Sequence, residues 1–166
     1  LGDVYKRQAN TFCRSDSNVS KVAVMGAGAM GSGIAFALAN KADINVSLYD
    51  PFEEQLEKSN TSNGSYLEKK VQKGYITSRE RDRILDLIYT TSIMEKAVED
   101  ADIVIEAVPE NLELKSSIFQ KVHALSPDSI LATNTSTFRV DSLKEGLPPD
   151  KLGGLHFFNP FSKMPL

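Results

Sequence analysis

Two hydrophobic periods alternate along most of this chain. Short apolar and β-branched runs recur at Lys21–Met25, Asn45–Tyr49, 89–93, 103–108, 129–133 and 152–158, each short enough for a buried parallel strand. Between them lie stretches with helical composition and spacing: 30–40, 53–73, a segment opened by Thr77, Leu112–Leu125 and a short 140–145. Thr77 followed three residues later by Glu80 predicts a capping box, and Ile84, Leu85 and Ile88 give that helix an apolar face. Gly74-Tyr-Ile separates it from the 53–73 helix, so the two read as an antiparallel helical pair inserted between strands. The run 103–108, entered through Glu99-Asp-Ala-Asp102, has the strongest strand character and belongs at the sheet centre. Pro148-Pro149 divides the last two elements. Strands alternating with helices across short loops predict an α/β, doubly wound, mostly parallel sheet covered on both faces.

The junction of the first strand and helix narrows that prediction to a Rossmann-type fold. It reads Gly26-Ala-Gly-Ala-Met-Gly31, and nineteen residues after Gly31 the second strand closes on Asp50. Gly26 permits a tight turn, Gly28 lets backbone approach a diphosphate, and Gly31 lets helix and strand pack closely. The loop residues Gly26, Ala27, Gly28, Ala29, Met30 and Gly31 would present backbone N–H groups at a helix start, where unpaired donors and the helix dipole favour an anion. Asp50 is placed to accept hydrogen bonds from both hydroxyls of an adenosine ribose and to repel a 2′-phosphate, which predicts NAD over NADP. An Asp before Pro51 is also a common strand-ending turn.

Composition sets the outer bounds. At 166 residues, 41% hydrophobic and 25% charged, the chain has one domain's worth of ordinary globular sequence, and no apolar run approaches the ~20 residues of a membrane span. A formal charge of −3 argues against a nucleic-acid partner. The lone Cys13 excludes an internal disulfide or a cysteine metal cluster, and it suits a reducing, intracellular compartment. The polar residues 1–18 are expected to be disordered or a non-native flank, with 1–8 resembling translated flanking sequence. The folded unit is expected over 19–166.

Three polar clusters fall after strand ends, where open parallel sheets bind ligands. The first, Glu106-Ala-Val-Pro-Glu-Asn-Leu-Glu-Leu-Lys115, puts Glu110 and Lys115 in a loop and helix start; a cap with surface ions is the plainer reading. The second, Asn134-Thr-Ser-Thr137, is equally readable as a turn held by side-chain bonds. In the third, Gly154-Leu-His-Phe-Phe-Asn-Pro160, His156 offers an imidazole available as a proton acceptor near neutral pH, or else a structural histidine. His123, inside an amphipathic helix, is assigned to the surface. Lys58, Lys69, Lys70 and Lys73 read first as a solvated face, with Lys69 as a weak candidate for ligand phosphates.

Taken together, Gly26-Ala-Gly-Ala-Met-Gly-Ser-Gly-Ile-Ala35, Glu106-Ala-Val-Pro-Glu-Asn111, Ala132-Thr-Asn-Thr-Ser136 and Gly154-Leu-His-Phe-Phe-Asn-Pro160 resemble the NAD-binding domain of the L-3-hydroxyacyl-CoA dehydrogenases, over about 19–166. That family includes 3-hydroxybutyryl-CoA dehydrogenases and multifunctional β-oxidation enzymes, and Lys163-Met-Pro-Leu166 is closer to the latter. The resemblance implies that Asp50 holds the adenosine ribose and that Glu110, Lys115 and Asn159 line the nicotinamide half. It also implies that Ser136 touches substrate and cofactor, and that His156 is the catalytic base for a (S)-3-hydroxyacyl-CoA substrate. Thr137 and Phe138 depart from the family's usual serine and aliphatic residue. The family's histidine-pairing glutamate would lie just beyond Leu166, and the helical C-terminal domain that closes the site and forms most of a dimer interface would follow. The resemblance therefore implies an NAD-binding fragment with little turnover by itself, whose parent is a homodimer or part of a multifunctional enzyme, cytoplasmic or, in a eukaryote, mitochondrial or peroxisomal. The same pattern also suits a dehydrogenase of a free hydroxy or sugar acid, or a non-catalytic dinucleotide-binding module.

Overall fold

The computed structural model describes residues 19–157. A six-stranded, wholly parallel sheet runs in the order β3-β2-β1-β4-β5-β6, built from β1 (Lys21–Met25), β2 (Asn45–Tyr49), β3 (Ile88–Thr91), β4 (Ile103–Glu106), β5 (Ile130–Thr133) and β6 (Leu152–Gly154). The helices are α1 (Ala29–Lys41), α2 (Glu53–Gln72), α3 (Ser78–Asp86), α4 (Met94–Val98) and α5 (Leu112–Leu125), with a 3-10 turn at Val140–Leu143. Strand order reverses between β1 and β4, and at such a switch point the strand ends leave a crevice.

Alternation along β1 decides which residues face which layer. Val22 and Val24 join Ile34, Leu38, Val46, Leu48 and Ile105 on the α1 side, while Ala23 and Met25 join Val104, Phe119, Val122 and Leu131 on the α5 side. A smaller cluster of Ala39, Leu67 and Ile84 seats the inserted pair α2 and α3 against α1. Arg81 on α3 reaches Glu68 on α2 at 2.7 Å, and Phe36 meets Tyr66 edge-on at 5.4 Å between ring centres. The capping box forms as predicted: Thr77 accepts from the Glu80 N–H at 3.2 Å and its own N–H donates to the Glu80 carboxylate at 2.7 Å. At the opposite end of the sheet, Asp102 accepts the N–H groups of Ser20 at 2.8 Å and Lys21 at 3.0 Å, which pulls its carboxyl below the ordinary range.

Several strand ends differ from the periodic prediction because a side chain captures a backbone donor. β4 stops at Glu106, not 108, because the Val108 N–H turns to Glu106 Oε1 at 2.7 Å. β3 starts at Ile88, which the pattern had placed on a helix face, and stops at Thr91, whose hydroxyl takes the Ile93 N–H at 3.1 Å. β6 covers only Leu152–Gly154; the Phe157 N–H donates to the Asn134 side chain at 2.7 Å, not to a neighbouring strand. The short helix α4 was absent from the sequence prediction, since five residues are too few to show a period.

Gly28 and Gly31 are held for different reasons. A Cβ at Gly31 would lie 1.8 Å from the Gly26 carbonyl oxygen, whereas one at Gly28 would meet nothing within 4 Å. Gly31→Ala is therefore expected to lower unfolding free energy by about 1–3 kcal/mol through overpacking. Gly28→Ala should change it by less than about 1 kcal/mol. Urea denaturation of the two variants checks the contrast, and equal midpoints would overturn it.

Candidate functional site

A crevice of about 880 Å³ opens along the carboxyl ends of β1, β2 and β4. Gly26, at φ +106°, turns the chain out of β1, and a Cβ there would lie 2.9 Å from the Ala107 carbonyl oxygen. α1 then begins at Gly28 with no side-chain cap and no acidic residue in its first turn. A helix start left bare in this way, with open space where a Cβ at Gly28 would project, suits a phosphate group. Gly26, Gly28, Ala29 and Met30 line the crevice, while Ala27 and Gly31 are buried behind it.

Asp50 ends β2 and lines the same crevice. Its Oδ2 accepts the Ala27 N–H at 2.9 Å and its Oδ1 accepts the Phe52 N–H at 3.0 Å. The turn role is therefore present: the carboxylate braces the glycine loop from below, and each of its oxygens keeps a further lone pair. The adjoining Tyr49 also faces the crevice, and burial, then the charges of Asp50 and Glu95, raises its hydroxyl pKa.

At the far end, charged groups meet around β4. Glu106 and Lys115 are buried, and Lys115 Nζ lies 2.7 Å from Glu106 Oε1, 3.1 Å from the Val108 carbonyl oxygen and 3.5 Å from Glu110 Oε2. Glu106 Oε2 accepts the Thr133 hydroxyl at 2.7 Å, and Thr133 Oγ1 accepts the Thr135 N–H at 3.2 Å. Glu110 accepts the Thr135 hydroxyl at 2.8 Å and the Ser136 N–H at 3.3 Å. Two branches thus leave Lys115 and close on Thr135. Burial raises the Glu110 pKa, but the Thr135 hydroxyl, the Lys115 charge and the Ser136 N–H outweigh it, leaving the carboxyl below the ordinary range. Lys115 is among the residues lining the crevice, and its ammonium already faces three acceptors.

The loop after β5 also holds the histidine. Asn134 Oδ1 accepts the Phe157 N–H at 2.7 Å, and its main-chain oxygen lies 3.2 Å from His156 Nδ1. A carbonyl can only accept, so this contact places a proton on Nδ1 and, in the neutral ring, the lone pair on Nε2. Ser136 is exposed on the same loop. Neither Ser136 nor His156 lines the crevice itself. Lys69 lies on the exposed last turn of α2, away from the crevice wall, and Asn159 falls outside the described residues. His123 is half-buried, and its Nδ1 has no hydrogen-bond partner among the described residues.

Sequence reading passed over Glu106, Thr133, Asn134 and Thr135 as individual contributors. The signal for Glu106 was present: a carboxylate within the apolar run Ile103-Val-Ile-Glu-Ala-Val108 requires a partner if the strand is buried. Met94 and Ile118, which also line the crevice, carry no polar signal at all.

The Asn134 clamp makes a spectroscopic prediction. In the wild-type chain, ring 15N shifts should show His156 protonated at Nδ1. Asn134→Ala keeps the main-chain carbonyl but releases Phe157, and should loosen the Nδ1 contact and shift His156 toward the Nε2–H form, while Asn134→Asp, which keeps a side-chain acceptor for Phe157, should not. An Ala variant with unaltered ring shifts would show that the main-chain carbonyl holds the ring without the side-chain clamp.

The family model described as 3-hydroxyacyl-CoA dehydrogenase, NAD binding domain, matches residues 21–166. The fatty acid oxidation complex subunit alpha of Idiomarina loihiensis is 36% identical over 164 residues, 97% of this chain and 23% of that protein. A 3-hydroxybutyryl-CoA dehydrogenase of Mycobacterium tuberculosis is 38% identical over 152 residues, 89% of this chain and 52% of that protein. The crystal structure of 3-hydroxybutyryl-CoA dehydrogenase from Escherichia coli superposes with a TM-score of 0.84 at 35% identity, covering 89% of this chain and 31% of that one. This chain thus spans about half or less of the length of these relatives. With its parallel sheet, bare glycine loop and Asp50, the chain belongs to the 3-hydroxyacyl-CoA dehydrogenase family and comprises its NAD-binding domain.

Proposed function

We propose that this chain is the cofactor half of an enzyme that oxidises (S)-3-hydroxyacyl-CoA to 3-oxoacyl-CoA in intracellular fatty-acid β-oxidation or butanoate metabolism. The observation that carries the reading is one crevice joining the bare glycine loop and Asp50 to Glu110 and Asn134, with His156 held on the Asn134 loop. The glycine loop and uncapped start of α1 bind the diphosphate, and Asp50 accepts from the ribose hydroxyls. Glu110, with Lys115 behind it, borders the nicotinamide end. NAD, when bound, supplies the hydride acceptor. Ser136 orients the substrate between His156 and the crevice. His156 receives the 3-hydroxyl proton at Nε2, since the Asn134 carbonyl fixes the other ring proton on Nδ1. Support for the acyl-CoA substrate comes from the family and from relatives named as 3-hydroxybutyryl-CoA dehydrogenase and fatty acid oxidation subunit.

Two substitutions test this reading. Asp50→Ala should weaken NADH binding by about ten- to hundredfold and narrow the preference against NADPH, measured by fluorescence titration. It should also cost about 1–3 kcal/mol of stability, because the Ala27 and Phe52 N–H groups lose their acceptor. Unchanged affinity for both cofactors would refute the ribose assignment. In a protein carrying this domain together with the family's C-terminal domain, His156→Ala should lower acetoacetyl-CoA reduction by more than about a hundredfold. Retained activity there would favour a non-catalytic dinucleotide-binding module.

A further inference from the structure

Three charges meet at the end of β4; Lys115 and Glu110 both line the crevice, and Glu110 is the one of the three that is exposed there. Lys115 makes its shortest ionic contact, 2.7 Å, with Glu106, which is completely buried; Glu110 is farther, at 3.5 Å, with 42% of its side chain exposed. One ammonium against two carboxylates leaves one net negative charge. Because Glu106 absorbs the lysine's charge from behind, the excess falls on Glu110, which lines the crevice. The Thr135 hydroxyl and the Ser136 N–H fix that carboxylate in place, and its lowered pKa keeps it ionised at neutral pH.

The two redox states of NAD differ in charge at one place only. The nicotinamide ring is a cation when oxidised and neutral when reduced, while the adenosine and diphosphate are identical. A fixed carboxylate at that end therefore acts on one state and hardly on the other. We propose that Glu106, Lys115 and Glu110 form a charge selector that raises affinity for NAD+ relative to NADH, with Glu110 as the contacting residue and Glu106 as the positioning residue that stops Lys115 from cancelling it. This inference rests on the reading above, in which the nicotinamide end lies beside Glu110. A fixed unit charge beside the ring, at an effective dielectric approaching that of water, corresponds to about a three- to tenfold difference in affinity. By linkage, the same charge makes the bound reduced cofactor a stronger hydride donor than it would be without Glu110.

Calorimetric titration of the chain at low ionic strength with NAD+, NADH and ADP-ribose tests the selector. Glu110→Gln keeps the acceptor geometry without the charge. It should raise the ratio of the NAD+ to the NADH dissociation constant by about three- to tenfold. ADP-ribose affinity should stay within about twofold, which also reports an intact crevice. Glu110→Asp should restore most of the wild-type ratio. Glu106→Gln, remote from any ligand, should shift the ratio in the same direction as Glu110→Gln. A Glu110→Gln chain that keeps the wild-type ratio, or loses NAD+ and NADH equally, overturns the selector while leaving the dinucleotide reading intact. A wild-type chain that fails to bind ADP-ribose overturns both.

Discussion

The carboxylate of Glu106 is the interaction on which the functional end of the sheet depends. It ends β4 by taking the Val108 N–H, ties β5 through the Thr133 hydroxyl, and holds Lys115 of α5 in an ion pair with no solvent access. Leaving one member of such a pair buried alone costs about 3–5 kcal/mol, far more than an exposed pair is worth. The surface pair Lys58–Glu54 illustrates the difference, since water already solvates both groups. A buried ion pair is weak as a source of stability but strong as a device for fixing register, and here it fixes the two loops that border the crevice.

Asp50 does the corresponding work at the other end. Its two oxygens bind the N–H of Ala27 in the glycine loop and of Phe52 beyond the strand, so the loop is shaped before any cofactor arrives. A site shaped in advance loses less entropy on binding, which is the physical benefit of spending a carboxylate on backbone donors. Between these ends, Gly26 and Gly31 approach so closely that a Cβ at Gly31 has no room, and only Gly28 faces open space. The three glycines of one motif thus differ: Gly26 turns the chain, Gly31 permits close packing, and Gly28 leaves open space at the helix start.

Much of this was readable in the chain. The alternation of β1 and β2, the Gly26 to Gly31 loop, the spacing to Asp50 and the Thr77 capping box rest on periods and contacts within a few residues, or on one βαβ unit. The structure keeps all of them. Strand ends were less readable, because Glu106, Thr91 and Asn134 each divert a backbone N–H from the ladder, and composition does not record which donor a polar side chain will choose.

What the sequence determined by itself was the fold class, the dinucleotide motif and the set of polar residues at strand ends, because local periodicity and turn chemistry act over short separations. Tertiary structure alone decided that Lys115 spends its charge on Glu106, that Thr135 joins two loops through Glu110, and that the Asn134 carbonyl sets the proton on His156. These partners lie nine, twenty-five and twenty-two residues apart. They meet only because parallel strands return each loop to the same edge of the sheet, and hydrophobic alternation fixes which face a residue takes without fixing which polar group it will find there.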